Sequence, residues 1–232
     1  MKINSEYPRI VFLIIFLLRS FPVFAESPLY ISFKGEELGN FPSGWASFDN
    51  RNAHKIYSIH AEGGKKFIHS ESKGSAVQIG YEKKWNLKEF PVLQWEWRAI
   101  RFPEGTNERE KSGNDSVLGL YIVFGRWPML KAIKYIWSDT LPVGTSFNSP
   151  AYKDSKILVV RSGRSQAGSW IRERRDVLSD FHLLFGYEEK NPVAKGIAIL
   201  TDSDNTNSHA VGDYGEFEAL PPNGEKSPGT QH

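Results

Sequence analysis

Residues Val92 to Ile100 read VLQWEWRAI. From Leu93 onward the pattern alternates without a break. Leu93, Trp95, Trp97 and Ala99 fall on one side, and Gln94, Glu96 and Arg98 on the other. A period of two is the mark of a β-strand with one buried face. The two tryptophans on the apolar side are expected in a core. The opposite side becomes a row of hydrogen-bonding side chains facing outward.

The same reading extends along the chain in both directions. Toward the N-terminus, Leu29–Phe33, His54–His60, Lys66–Ser70 and Ala76–Tyr81 are strand candidates. Glu62-Gly63-Gly64-Lys65 has the composition of a hairpin turn between two of them. Phe41-Pro42-Ser43-Gly44-Trp45 is a turn that delivers a tryptophan. Toward the C-terminus, Val117–Phe124, Ile133–Trp137, Ile157–Arg161, Gly196–Thr201 and Glu216–Leu220 read as strands. One segment changes period. Between Arg174 and Phe185 the apolar positions are Val177, Leu178, Phe181, Leu184 and Phe185, a helical spacing with Asp176 near its start and Gly186 just after it. Residues 101–114 read as an exposed loop. Many short strands with one helix predict an all-β fold, an antiparallel β-sandwich of jelly-roll type resembling carbohydrate-binding modules.

The ends have a different character. Lys2 and Arg9 precede the apolar run Val11–Leu18, and Val23-Phe24-Ala25 offers a cleavage site before Glu26. This predicts a signal peptide over residues 1–25, since the run is shorter than the about 20 residues that span a bilayer. No later segment is apolar enough to cross a membrane. A single domain is then expected over 26–220, followed by a disordered tail, 221–232. Removing the signal takes away three basic residues and Glu6, so the counts fall from 29 and 27 to 26 and 26. A neutral mature chain lacks the electrostatic footprint of a nucleic-acid binder. The chain has no cysteine, which excludes disulfides, thiol nucleophiles and thiolate metal sites. A periplasmic or secreted location is expected.

Several blocks in fixed order resemble an exported bacterial family catalogued as domain of unknown function 3047. They are Trp95-Glu96-Trp97-Arg98, Tyr121–Phe124, Ile133–Ser138, Val159–Gly163, Arg175-Asp176-Val177, Gly196–Thr206 (GIAILTDSDNT) and Tyr214-Gly215-Glu216. The resemblance covers residues 30–218. It implies export and one β-rich domain, and it supplies no activity.

The residues themselves offer three sets of candidates. Asp202 and Asp204 follow a strand, and clustered oxygen ligands suit a hard cation such as calcium. Asp213 and Glu216 follow closely and are expected to complete the shell. The alternative is a polar turn in which Asp and Asn bond the local backbone. Among the seven tryptophans, Trp45 and Trp127 stand beside Gly or Pro in loops and are candidates to stack on a sugar ring. The polar row of the tryptophan strand, with Glu96 and Arg98, and the later Arg161, could grip the same ligand. The expected function is therefore an exported, non-catalytic module that binds a polysaccharide or glycan. Two alternatives stand: an envelope polysaccharide hydrolase or lyase, and an envelope assembly protein. Glu96 with Asp115 is the only carboxyl pair suggested for hydrolysis. Arg98 with Tyr121 or Tyr135 is the set suggested for a lyase. No esterase elbow or zinc-protease motif is present.

Overall fold

A computed structural model describes residues 28–126 and 129–223. The expected signal segment, Trp127 and most of the tail lie outside the described residues. The described residues form thirteen strands and two helices in the order β1 (Tyr30–Ile31), β2 (Trp45–Ala46), α1 (Asn50–Ile56), β3 (Tyr57–Glu62), β4 (Lys65–Lys73), β5 (Ile79–Asn86), β6 (Val92–Arg101), β7 (Leu118–Arg126), β8 (Met129–Ser138), β9 (Ser146–Asn148), β10 (Ser155–Ser162), β11 (Ile171–Asp176), α2 (Val177–Phe185), β12 (Val193–Leu200) and β13 (His209–Leu220).

The strands make a two-sheet sandwich. One sheet has six strands in the order β11-β6-β13-β4-β3, with β1 added against β13. The other has seven, β2-β5-β12-β7-β8-β10-β9. The all-β expectation holds. Pairing is antiparallel throughout except between β8 and β10, which run parallel. A parallel pair needs a crossover rather than a hairpin, and here residues 139–154, with β9, make it.

The alternation in β6 does what its pattern dictates. Leu93, Trp95, Trp97 and Ala99 are fully buried. Trp95 stacks on Tyr135 from the opposite sheet, with centroids 5.5 Å apart and planes at 16°, and meets Trp97 edge-on at 5.3 Å. Trp85, Trp137, Phe124, Phe181 and Phe217 join the same core. The hairpin between β3 and β4 turns on Gly63 and Gly64, both at positive φ, the geometry of a tight hairpin turn.

Three expectations are corrected. His54 lies in α1 rather than in a strand. Asp49 caps that helix by accepting the Asn52 N–H, which satisfies one of the free donors of the first turn. The second helix begins at Val177, capped by Asp176; residues Ile171–Asp176 are the edge strand β11. The loop 101–114 is also only partly exposed. Glu108 within it is buried and accepts a bond from Ser138 Oγ at 2.5 Å.

A buried polar seam ties the sheets at one end. Thr201, just past β12, shares a hydrogen bond with Ser70 of β4 at 2.7 Å and with Tyr214 of β13 at 3.1 Å. Tyr57 donates no side-chain bond to it; instead the Thr201 N–H donates to the Tyr57 oxygen at 3.3 Å. This seam fixes the direction of the residues that follow Thr201.

Candidate functional site

Two clusters of functional side chains emerge, on opposite sides of the sandwich. The first is the outward face of the six-stranded sheet. The registers Asp213↔Arg98 and Asp213↔His69 place one residue from each of β6, β13 and β4 side by side. Asp213 is fully buried. Its carboxylate accepts from Arg98 Nε at 2.7 Å and bonds His69 Nδ1 at 2.7 Å. Arg98 also donates to Glu62 at 2.5 Å. His60, one strand farther out, stacks on His69 at 4.4 Å. The His60 pKa is lowered from 6.5, first because partial burial disfavours the charged ring and second because His69 stands beside it. The result is a row of four side chains across four strands, held by one buried carboxylate.

The neighbouring row is Glu96 with Lys65 and Arg172. Glu96 accepts from both cations. Burial raises its pKa, and the two cations together more than reverse that, so it stays ionised below the usual range. Trp170, on the loop between β10 and β11, comes over the end of this face. Lys65 Nζ lies 4.0 Å from the centre of its ring, Arg98 lies 4.9 Å away, and Phe67 meets its edge. Such cation–π contacts hold an aromatic ring in place.

The second cluster lies beyond β12. Thr201 points into the seam, and the next residue, Asp202, turns toward the outer side of the seven-stranded sheet. Lys134 and Tyr121, cross-strand partners on β8 and β7, are buried there. Asp115 organises the loop 201–208. Its carboxylate accepts from the N–H groups of Asn205 and Thr206 at 3.1 and 2.8 Å, and from Thr206 Oγ1 at 2.6 Å. Asp115, Asp202 and Asp204 each present a carboxylate oxygen, all within 4.8 Å of one another. Burial pushes Asp202 up to about 8, even though Lys134 works against the shift. An open depression of about 490 Å³ lies behind the same loop, lined by Lys73, Arg101, Glu104, Asn207 and His209.

The expected site residues divide between these clusters. Glu96 and Arg98 do share the outward face. Trp45 does not: it is buried against Tyr81 and Phe217, with ring centres 5.7 and 6.0 Å away. Gly44 at φ +77 turns the loop inward, and a Cβ there would sit 2.7 Å from the Tyr81 ring. Trp127 lies outside the described residues. Arg161 is not on the face either; its Nε donates to Glu173 at 2.8 Å and so links β10 to β11.

The expected four-carboxylate shell is also corrected. Asp202 and Asp204 converge, but Asp213 belongs to the other sheet, bound to Arg98 and His69. Glu216 accepts from Ser32 Oγ at 2.8 Å. The third carboxylate is Asp115. Neither catalytic pairing forms: Glu96 and Asp115 belong to different clusters, and Tyr135 is in the core, donating to Asp180 at 2.7 Å. Tyr121 lies with Lys134, away from Arg98.

Sequence reading passed over His69, His60 and Lys134, and named Asp115 only as a partner for Glu96. The alternation Phe67, His69, Glu71 in β4 was the available signal for the first. Among the described residues no helix is long and apolar enough to cross a membrane. No curated protein matches the sequence. The family model described as a protein of unknown function (DUF3047) matches residues 43–218, which take in both clusters, and the chain belongs to that family.

Proposed function

We propose that this protein is a non-catalytic module that binds a polysaccharide or glycan outside the cytoplasm, on the outward face of its six-stranded sheet. One observation carries the reading: the Trp170 ring is held by Lys65 and Arg98 beside a row of paired polar side chains on rigid strands. A sugar offers hydroxyls to such a row and an apolar C–H face to such a ring. Strands hold these groups with little freedom left to lose on binding. Export is part of the same reading, supported by the charged, apolar and small-residue pattern of residues 1–25.

The test is affinity electrophoresis and calorimetry of the purified protein against neutral and acidic polysaccharides. Trp170→Ala and Glu96→Gln should each weaken binding while circular dichroism stays unchanged. Binding that survives Trp170→Ala unaltered, or no binding to any polymer, refutes the assignment. N-terminal sequencing of exported protein should begin at or near Glu26; intact protein from Met1 in washed membranes defeats the export reading.

A second reading rests on a specific observation. Asp213 is buried and bonded to His69 Nδ1, the arrangement that orients an imidazole as a general base. If the face is an active site, new chain ends appear when a bound polymer is incubated with the protein. His69→Gln would then abolish them without abolishing binding.

A further inference from the structure

We infer that Asp115, Asp202 and Asp204 form a binding site for one divalent cation of the calcium class. The argument begins with spacing. A hard cation takes six to eight oxygens at about 2.3–2.6 Å, so ligands on opposite sides of it stand about 4.6–5.2 Å apart. The three carboxylates each offer an oxygen within 4.8 Å of the others, which fits one such shell.

The second observation concerns partners. Asp202 is 3% exposed, and its Oδ1 has no hydrogen-bond partner. Ser116 follows Asp115 in the chain and accepts the Asp202 N–H through its carbonyl at 3.1 Å. Its Oγ is buried and unpartnered as well. Buried oxygens without donors are costly, and the Asp202 oxygen belongs to one of the three clustered carboxylates. A cation among the three carboxylates satisfies that cost.

The protein's own donors do not fill this role. Lys134 is the nearest buried cation, yet among the described residues no ion pair joins it to any of the three carboxylates. It is one cation beside three carboxyl groups. Asp115 accepts three hydrogen bonds, which leaves roughly one of its four lone-pair positions for a metal. Asp204 is exposed and gives the ion a path from solvent. The group contains no His or Cys, which favours calcium or magnesium over zinc. Three carboxylates, two on the loop and one from the segment before β7, suit the looser geometry of calcium better than the strict octahedron of magnesium. The ion would clamp the loop 201–208 to the segment preceding β7.

The test uses the purified protein stripped with EDTA. Thermal melts are recorded in EDTA, in millimolar calcium and in millimolar magnesium, with calorimetric titration of calcium chloride. Calcium should raise the melting temperature by mass action, more than magnesium does, with one site per chain. Asp204→Asn is the main variant because its side chain is exposed and the fold does not depend on it. It should weaken calcium binding at least about tenfold, while its melt in EDTA stays level or rises, because one repulsive charge is gone. Asp202→Asn should behave alike. Glu188→Gln, exposed on the segment before β12 and so at the far end of that strand from the loop, should keep the full calcium response. Superimposable melts in calcium and EDTA overturn the inference. So does a calcium response that Asp204→Asn leaves intact, since the ion then binds elsewhere.

Discussion

Replacing three consecutive residues of β6 one at a time separates its two faces. Trp95 and Trp97 are both fully buried. Trp95 loses its stacking on Tyr135 when truncated, and Trp97 loses its contacts with Trp95 and Trp137. Cutting a buried tryptophan to alanine costs about 3–5 kcal/mol from lost transfer energy and the cavity left behind. For a domain of roughly 150–250 residues, each kcal/mol lowers the melting midpoint by about 2–4 °C. Trp95→Ala and Trp97→Ala should therefore melt roughly 6–20 °C below the parent. Glu96, between them, gives up ion pairs with Lys65 and Arg172, and the Arg172 side chain is 65% exposed. Such pairs contribute about 0.2–1 kcal/mol each, so Glu96→Ala should cost under about 2 kcal/mol. Far-UV circular dichroism melts and urea titrations give all three values without relying on tryptophan fluorescence. Comparable midpoints for the three variants would mean that the assigned faces of β6 are wrong.

Two further outcomes follow from individual contacts. The Trp97 N–H donates to the Glu173 carboxylate at 3.3 Å, whereas the buried Trp95 N–H has no partner; Trp97→Phe should lose about 1–3 kcal/mol more than Trp95→Phe in urea titrations, since bonds to charged groups contribute that much, and equal losses would contradict the difference. His60 should titrate below 6.5 by NMR and move back up in His69→Gln; because its neutral form is favoured in the fold, the stability it contributes is present above 6.5 and is lost as pH falls through its folded value, and a His60 titration unmoved by the His69 change would discard the coupling.

The parts of the fold that were legible in the sequence are those whose inner face is apolar. β6 and β7 declare themselves because Trp, Leu and Ile mark every second position. β11 does not, although it has the same alternation. Its inward residues Glu173 and Arg175 are charged, and their partners come from elsewhere: Trp97 and Arg161 for the first, Asp180 for the second. A short helix such as Asn50–Ile56 carries too few residues to show a period, and its evidence is the cap at Asp49. The acidic loop illustrates a different limit. Asp213 and Glu216 are close to Asp204 in the chain, but β13 lies in the other sheet, so nearness in sequence misleads. Asp115 reaches the loop only because β7 lies next to β12, a pairing invisible to local pattern. His69 and Asp213 met for the same reason, through the register of β4 on β13.

The six-stranded sheet is built around β13, which pairs with β6, β4 and β1. That central strand is formed from residues 209–220, near the C-terminal end of the described chain. During synthesis β4 and β6 emerge well before it, each with an edge that no neighbour covers. The sheet cannot close until its last strand has left the ribosome, so the nascent chain remains open for most of its translation. Contacts this distant in sequence make closure slow, and uncovered strand edges invite pairing with other chains in the interval. Premature termination anywhere before residue 209 removes the middle of the sheet rather than its margin, and fragments of that kind should be recovered as aggregate or degraded rather than as partly folded protein.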